Sequence, residues 1–126
     1  DNFVFASDFS EEIQKPFKKV LEIAGLFNSH LNLVMINSPG SFKPTHVAEK
    51  MMHDFMKEFS YPDYSLHLYS DVNIEKGVLN FANSVNADLI GMCTHGKRTG
   101  LDHFLNGSIS EDLANHAGRP VITFKI

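Results

Sequence analysis

The residues best suited to chemistry lie in a loop and helix start between positions 93 and 111. Gly96 and Gly100 allow backbone to approach a ligand closely, because glycine carries no side chain. Lys97 and Arg98 add two cationic donors to the same loop. Glycines next to basic residues predict a site for an anionic group such as a polyphosphate.

The same segment carries the sequence pattern of a helix N-terminus. Glu111 follows Ser108 by three residues, which is the spacing of a capping box, so a helix is predicted from Ser108 to near Gly118. Its free N–H groups would attract phosphate. A purely structural alternative stays open, since glycine loops are common in α/β proteins and Lys97 and Arg98 alone fit a solvated pair.

Apolar segments alternate with amphipathic ones along the whole chain. The predicted strands are Phe3–Ala6, Leu31–Ile36, Tyr64–Tyr69, Asp88–Met92 and Val121–Ile126. Four helical patterns separate them, so the order is βαβαβαβαβ. This order predicts an α/β fold, a parallel sheet between two layers of helices. The third strand alternates apolar and polar residues, which suits an edge of the sheet. Ligands bind such sheets beyond the carboxyl ends of the strands.

Three local features of the helices can be predicted. Ser10 suits the N-cap of the first helix, and Pro16 predicts that this helix starts late or kinks. Pro44 suits the first turn of the second helix. The apolar residues of that second helix recur every four positions, at Val47, Met51, Phe55 and Phe59, with Ala48 and Met52 beside them.

Several motifs together resemble the universal stress protein family. The C-terminal part of the resemblance consists of Ala87-Asp88-Leu89-Ile90, His95-Gly96, Gly100-Leu101, Gly107-Ser108, Glu111 and Pro120-Val121. The segment from Ala6 to Ser10 resembles the opening strand of that family and its aspartate. The resemblance runs the length of the chain and implies one domain over residues 1–126. It also implies a three-layer sandwich with a five-stranded parallel sheet ordered 3-2-1-4-5.

The resemblance also implies a function. In the nucleotide-binding branch, an aspartate lies by the adenosine, and a glycine motif surrounds the ribose and phosphates. The matching positions here are Asp8, Gly96, Gly107 and Ser108. Lys97 or Arg98 would add charge, and magnesium would accompany ATP. The chain is therefore expected to be an adenine-nucleotide-binding (ATP, ADP or AMP) stress-response module and no enzyme, at most a slow ATPase.

Two departures from the family motif keep an alternative open. Its first glycine falls on Cys93, whose side chain is expected to crowd the ribose or phosphates, and ten residues instead of nine separate Gly96 from Gly107. The alternative is a fold that binds no nucleotide and acts in dimerisation and protein interaction. The family resemblance implies a homodimer through the last strand, or pairing with a tandem copy. Cys93 itself fits either a reactive thiol or, more often, a small buried residue.

Composition excludes several other classes. The net charge of -4 over 126 residues provides no basic face for nucleic acid, and no apolar run is long enough to cross a membrane. A single cysteine allows no internal disulfide and fits the cytoplasm. Because the chain opens with Asp1, it is interpreted as a processed form or a domain cut from a longer protein.

Two further constellations were weighed and disfavoured. His46, Glu49 and His53 share one helix face, but neither a cysteine partner nor an HExxH pattern accompanies them. They are interpreted as a solvated polar face, with an adventitious metal second. His95 and Ser108 could form a base and a nucleophile, but the G-x-S-x-G elbow is missing, which disfavours a hydrolase.

Overall fold

The computed structural model describes residues 1–94 and 117–126, and in these parts five strands form one sheet. The strands are β1 (Asn2–Ala6), β2 (His30–Asn37), β3 (Tyr64–Ser70), β4 (Leu89–Thr94) and β5 (Val121–Lys125). Every neighbouring pair is parallel, in the order β3-β2-β1-β4-β5. The predicted fold class and sheet order are confirmed, and β3 is an edge strand as its alternation indicated.

Three α-helices connect the described strands. They are α1 (Gln14–Leu26), α2 (Thr45–Met56) and α3 (Ile74–Ser84), and short 3-10 turns cover Glu11–Ile13 and Pro39–Ser41. The helix predicted to open at Ser108 lies outside the described residues. Within the described parts of the chain, none of the helices combines the length and the apolar character that crossing a membrane requires.

The core has a different character on each face of the sheet. On one face the rings of Phe5 and Phe17 lie 5.4 Å apart, and Phe17 lies 5.0 Å from Phe55, so α1 and α2 share an aromatic cluster. On the other face α3 packs against β2 and β3, where Phe81 lies 4.8 Å from the ring of His67. The continuous apolar runs of β1 and β2 are buried because helices cover both faces.

The start of the first helix is partly as predicted. Ser10 precedes the 3-10 turn, but its side chain makes no capping hydrogen bond to the described residues. Its amide instead donates to Asp8 Oδ1 at 3.1 Å. The α-helix begins only at Gln14, so the late start is confirmed. Pro16 then lies in the first helical turn, where a missing N–H is tolerated.

The buried face of α2 is rotated by part of a turn from the face that the sequence pattern predicted. Val47 is 39 % exposed, and the buried residues of the helix are Ala48, Met52, Phe55 and Met56. The helix ends at Met56, so Phe59 lies beyond it, although its ring still packs 4.9 Å from Phe17. Pro44 occupies the N-cap position and not the first turn, and its carbonyl accepts the amides of Val47 and Ala48 at 3.0 Å each.

Candidate functional site

The topology creates one switch point in the sheet. The chain passes from β1 to β2 on one side of β1, and it later returns from β3 to β4 on the other side. The crossovers on either side of β1 therefore run in opposite directions. In open parallel sheets this arrangement leaves a crevice outside the carboxyl ends of the two central strands. Here that crevice lies between the ends of β1 and β4.

Asp8 is held at this crevice by a network of short local hydrogen bonds. The amide of Ser7 donates to the Val34 carbonyl at 3.2 Å, which extends the pairing of β1 with β2 by one residue. Ser7 Oγ accepts the amide of Phe9 at 3.0 Å, and Asp8 Oδ1 accepts the amide of Ser10. These bonds fix the turn, so the Asp8 carboxylate has a defined position directly after β1.

The conformation of Phe9 is the unusual feature of this turn. Its φ is 55°, in the left-handed region that bulky side chains rarely adopt. The ring is buried and lies 5.3 Å from that of Phe55 and 6.3 Å from that of Phe5. Burial of the ring offsets the backbone strain and ties the turn to the aromatic core. The sequence analysis missed this positioning role, and no local pattern indicates it.

Cys93 lies on the other side of the crevice, inside β4. Its side chain is buried, and it stands beside Phe124 in the pairing with β5. Burial, and secondarily the negative charge of Asp8, raise the pKa of the Cys93 thiol to about 12. Its burial agrees with the interpretation of Cys93 as a small core residue, and the crowding of a ligand by this side chain stays a prediction. The thiol is also no reactive group, since almost no thiolate exists at neutral pH.

The carboxyl end of β2 forms a second ordered turn at the same edge of the sheet. The side chain of Asn37 accepts the Lys43 amide at 2.8 Å and donates to the Lys43 carbonyl at 3.0 Å. These two bonds close the loop between them. A cleft of about 350 Å³ follows, lined by Ser38, Gly40, Ser41, Val72, Asn73, Ile74 and Glu75. The edge that carries Asp8 therefore offers open space lined by both polar and apolar groups.

The predicted site residues divide into two groups. Asp8 lies at the switch point, as the resemblance implied. The others, Gly96, Lys97, Arg98, Gly107 and Ser108, lie outside the described residues, as does the pairing of His95 with Ser108.

The histidine-bearing face of α2 is solvated. His46, Glu49 and His53 are all exposed. In the described segments, no group of three or more His, Cys, Asp or Glu side chains could hold a metal ion. The preferred interpretation of this face as a solvated polar surface agrees with both observations.

Comparison with known proteins identifies the relatives of this fold. Residues 54–125 match the model of the Universal stress protein family. A universal stress protein from Archaeoglobus fulgidus is similar over 98 % of both chains, with a TM-score of 0.72 and 22 % identity. A structure from the same organism in complex with dAMP has a TM-score of 0.68 and 21 % identity, covering 98 % of this chain and 97 % of that one.

A third similar structure is a universal stress protein in complex with cAMP. Its TM-score is 0.71 and its identity 17 %, with 98 % of this chain and 95 % of that chain covered. A search of curated proteins returned no match to this chain. At these identities the structural likeness establishes the fold.

Proposed function

The chain belongs to the universal stress protein family, and we propose that it is an adenine-nucleotide-binding regulatory module of that family. The observation that carries this proposal is Asp8, fixed by local hydrogen bonds at the switch point between β1 and β4. Similar structures in complex with cAMP and dAMP support adenine nucleotides as the ligand class.

The chemistry of the site fits such a ligand. A carboxylate accepts hydrogen bonds, so Asp8 suits the hydroxyl and amino donors of an adenosine group. The phosphates need cations and N–H donors, which the sequence supplies through Lys97, Arg98 and the glycines of the same loop. Magnesium would accompany ATP at the phosphates. We propose that the module acts by binding and not by turnover.

Calorimetric titration with ATP, ADP and AMP, with and without magnesium, tests the proposal. Asp8→Asn should weaken binding at least about tenfold, because a hydrogen bond to a charged group contributes about 1.5–3 kcal/mol. Asp88→Asn is the matched control. Its carboxylate accepts the amide of Asn2 at the opposite end of the sheet, so nucleotide affinity should not change. The proposal is rejected if both variants weaken nucleotide binding equally, or if the unmodified chain does not bind nucleotide.

A second candidate function, self-association, is favoured by the edge strand β5. On the α1 side, a groove of about 490 Å³ lies between the start of α1 and the end of β5. A second, mostly apolar groove of about 360 Å³ includes Phe27 and Ile122. Phe27 is 62 % exposed and Ile126 is 40 % exposed. We propose that a second copy pairs with β5 and covers these grooves, because an open edge with apolar flanks favours strand pairing.

A further inference from the structure

A chain of polar side chains crosses β2 and β3 far from the switch point. His30 Nδ1 lies 2.6 Å from Asp63 Oδ1, and His30 Nε2 lies 2.8 Å from Ser65 Oγ. Ser65 Oγ is also 2.8 Å from His67 Nε2. A carboxylate, an imidazole and a hydroxyl are thus in line, in the order used by serine nucleophiles.

The acceptor chemistry of these groups determines where the protons lie. When the His30 ring carries a single proton, that proton is on Nδ1, because the Asp63 carboxylate only accepts hydrogen bonds. His30 Nε2 is then an acceptor for the hydroxyl proton of Ser65, at 2.8 Å, and Asn32 Oδ1 is a second, more distant acceptor at 3.5 Å. With the proton on the shorter contact, Ser65 Oγ accepts from His67 Nε2. The polarity is that of an oriented general base next to a nucleophile.

His67 completes the arrangement as a neutral donor. Burial lowers the pKa of His67, which favours the neutral form of its ring. The ring packs 4.8 Å from that of Phe81, which restrains its orientation. Its Nε2 lies 2.8 Å from Ser65 Oγ, so the ring holds the hydroxyl from the side opposite His30.

The group is accessible and distinct from the nucleotide site. The side chain of His30 is 36 % exposed and that of Asp63 61 % exposed, and β3 is the edge strand of the sheet. Ser65 pairs with Asn32, five residues before the carboxyl end of β2 at Asn37. At about 3.3 Å per residue, the group lies about 16 Å from the edge that carries Asp8.

We propose that Ser65, His30 and Asp63 form a nucleophilic site that accepts acyl groups from small activated esters. Ser65 Oγ forms a bond to the carbonyl carbon while its proton passes to His30 Nε2. The tetrahedral intermediate expels the alcohol, and His30 returns the proton to it. Water then attacks the acyl-serine with His30 as base, which releases the carboxylic acid and restores the hydroxyl.

The test uses p-nitrophenyl acetate and the full chain. Release of p-nitrophenolate is followed at 25 °C, and acid-quenched samples are digested and mapped by mass spectrometry. The expected result is an acetyl group on Ser65 of the unmodified chain. Ser65→Ala should remove this adduct, and His30→Gln should slow its formation by about 10²-fold, the usual contribution of a general base. Asp63→Asn should slow acetylation of Ser65 less than His30→Gln does, since the loss of the carboxylate alters only the orientation of the imidazole.

Matched controls separate this site from background acetylation. Ser84 donates to the Phe81 carbonyl at 2.7 Å and has no histidine partner in the described parts of the chain, so Ser84→Ala should react like the unmodified chain. His53 is exposed on α2, and His53→Gln should likewise have no effect. Acetylation confined to lysines or the N-terminus of the unmodified chain would overturn the proposal. Because this mapping needs no variant, it decides the question even if Ser65→Ala fails to fold.

Discussion

The thiol of Cys93 lies within electrostatic reach of Asp8, in a core where a thiolate is costly. Its pKa of about 12 therefore reports on both the burial of β4 and the charge at the switch point. The strand β4 was predicted to end at Met92, but it continues to Thr94, so Cys93 lies within the strand.

This shifted pKa predicts how stability depends on pH. The unfolded chain loses its thiol proton near pH 9.0 and the folded chain only near pH 12. Between these values the unfolded state binds fewer protons, so the free energy of unfolding should fall by about 1.4 kcal/mol per pH unit. Urea unfolding at pH 8 and pH 10.5 measures this fall, and Cys93→Ala should lack this contribution. Rapid alkylation of the native thiol by iodoacetamide at pH 8 would contradict the account.

Single residues differ in how far the sequence predicts their roles. The position of Asp8, two residues after the end of β1, is one where ligands are expected in a parallel sheet, and its role at the adenosine is implied by the family resemblance. The contact between His30 and Ser65 was not predictable, because it depends on the register that sets Asn32 against Ser65. Residues 35 positions apart show no local pattern that reveals such a register.

At the scale of elements, α2 and α3 show what periodicity can resolve. The pattern of α2 contained apolar residues on two adjacent faces, and a step of one residue rotates a helix by about 100°. Packing against the aromatic cluster selected the face of Ala48 and Met52. In α3 the apolar residues Ile74, Val78 and Phe81 recur at helical spacing, and all three are buried.

A glycine in α3 gives a test of helix packing. A methyl group at Gly77 would overlap Ile36 Cγ2, so Gly77→Ala should destabilise the fold by about 1–3 kcal/mol despite the higher helix propensity of alanine. Gly25 in α1 is the control, because a methyl group there meets no atom within 4 Å. Gly25→Ala should stabilise by about 0.5–1 kcal/mol. The midpoint of thermal unfolding, measured for both variants, tests this prediction. If both substitutions raise the midpoint, α3 packs less closely against Ile36 than described.

At the scale of the whole molecule, the sheet order is the feature that carries function. It puts the carboxyl ends of β1 and β4 together at the centre, and it leaves β3 and β5 as edges. Alternating strands and helices were sufficient to predict a parallel sheet, and the family resemblance implied the order of its strands. The open edge of β5 bears on how the chain would assemble with a second copy.

The edge of β5 can be blocked by one substitution. The Pro120 carbonyl accepts the Ile90 amide at 3.0 Å, so by the alternation of a parallel ladder the amide of Thr123 points away from β4. Thr123→Pro removes that outward donor and should convert the dimer to a monomer, whereas Thr123→Val keeps the amide and should stay dimeric. Light scattering after size exclusion gives the masses. A monomeric unmodified chain at high micromolar concentration would reject pairing through β5.

Binding of an adenine nucleotide at the switch point between β1 and β4 can be followed by amide NMR during titration of the ¹⁵N-labelled chain with Mg-ATP. The amides of residues 7–10 and Thr94 should shift in a saturable way. The amides of Asn2, His30 and Asp88, at the opposite end of the sheet, should keep their positions. Unchanged spectra at millimolar ATP, or shifts confined to that opposite end, would contradict binding at the switch point.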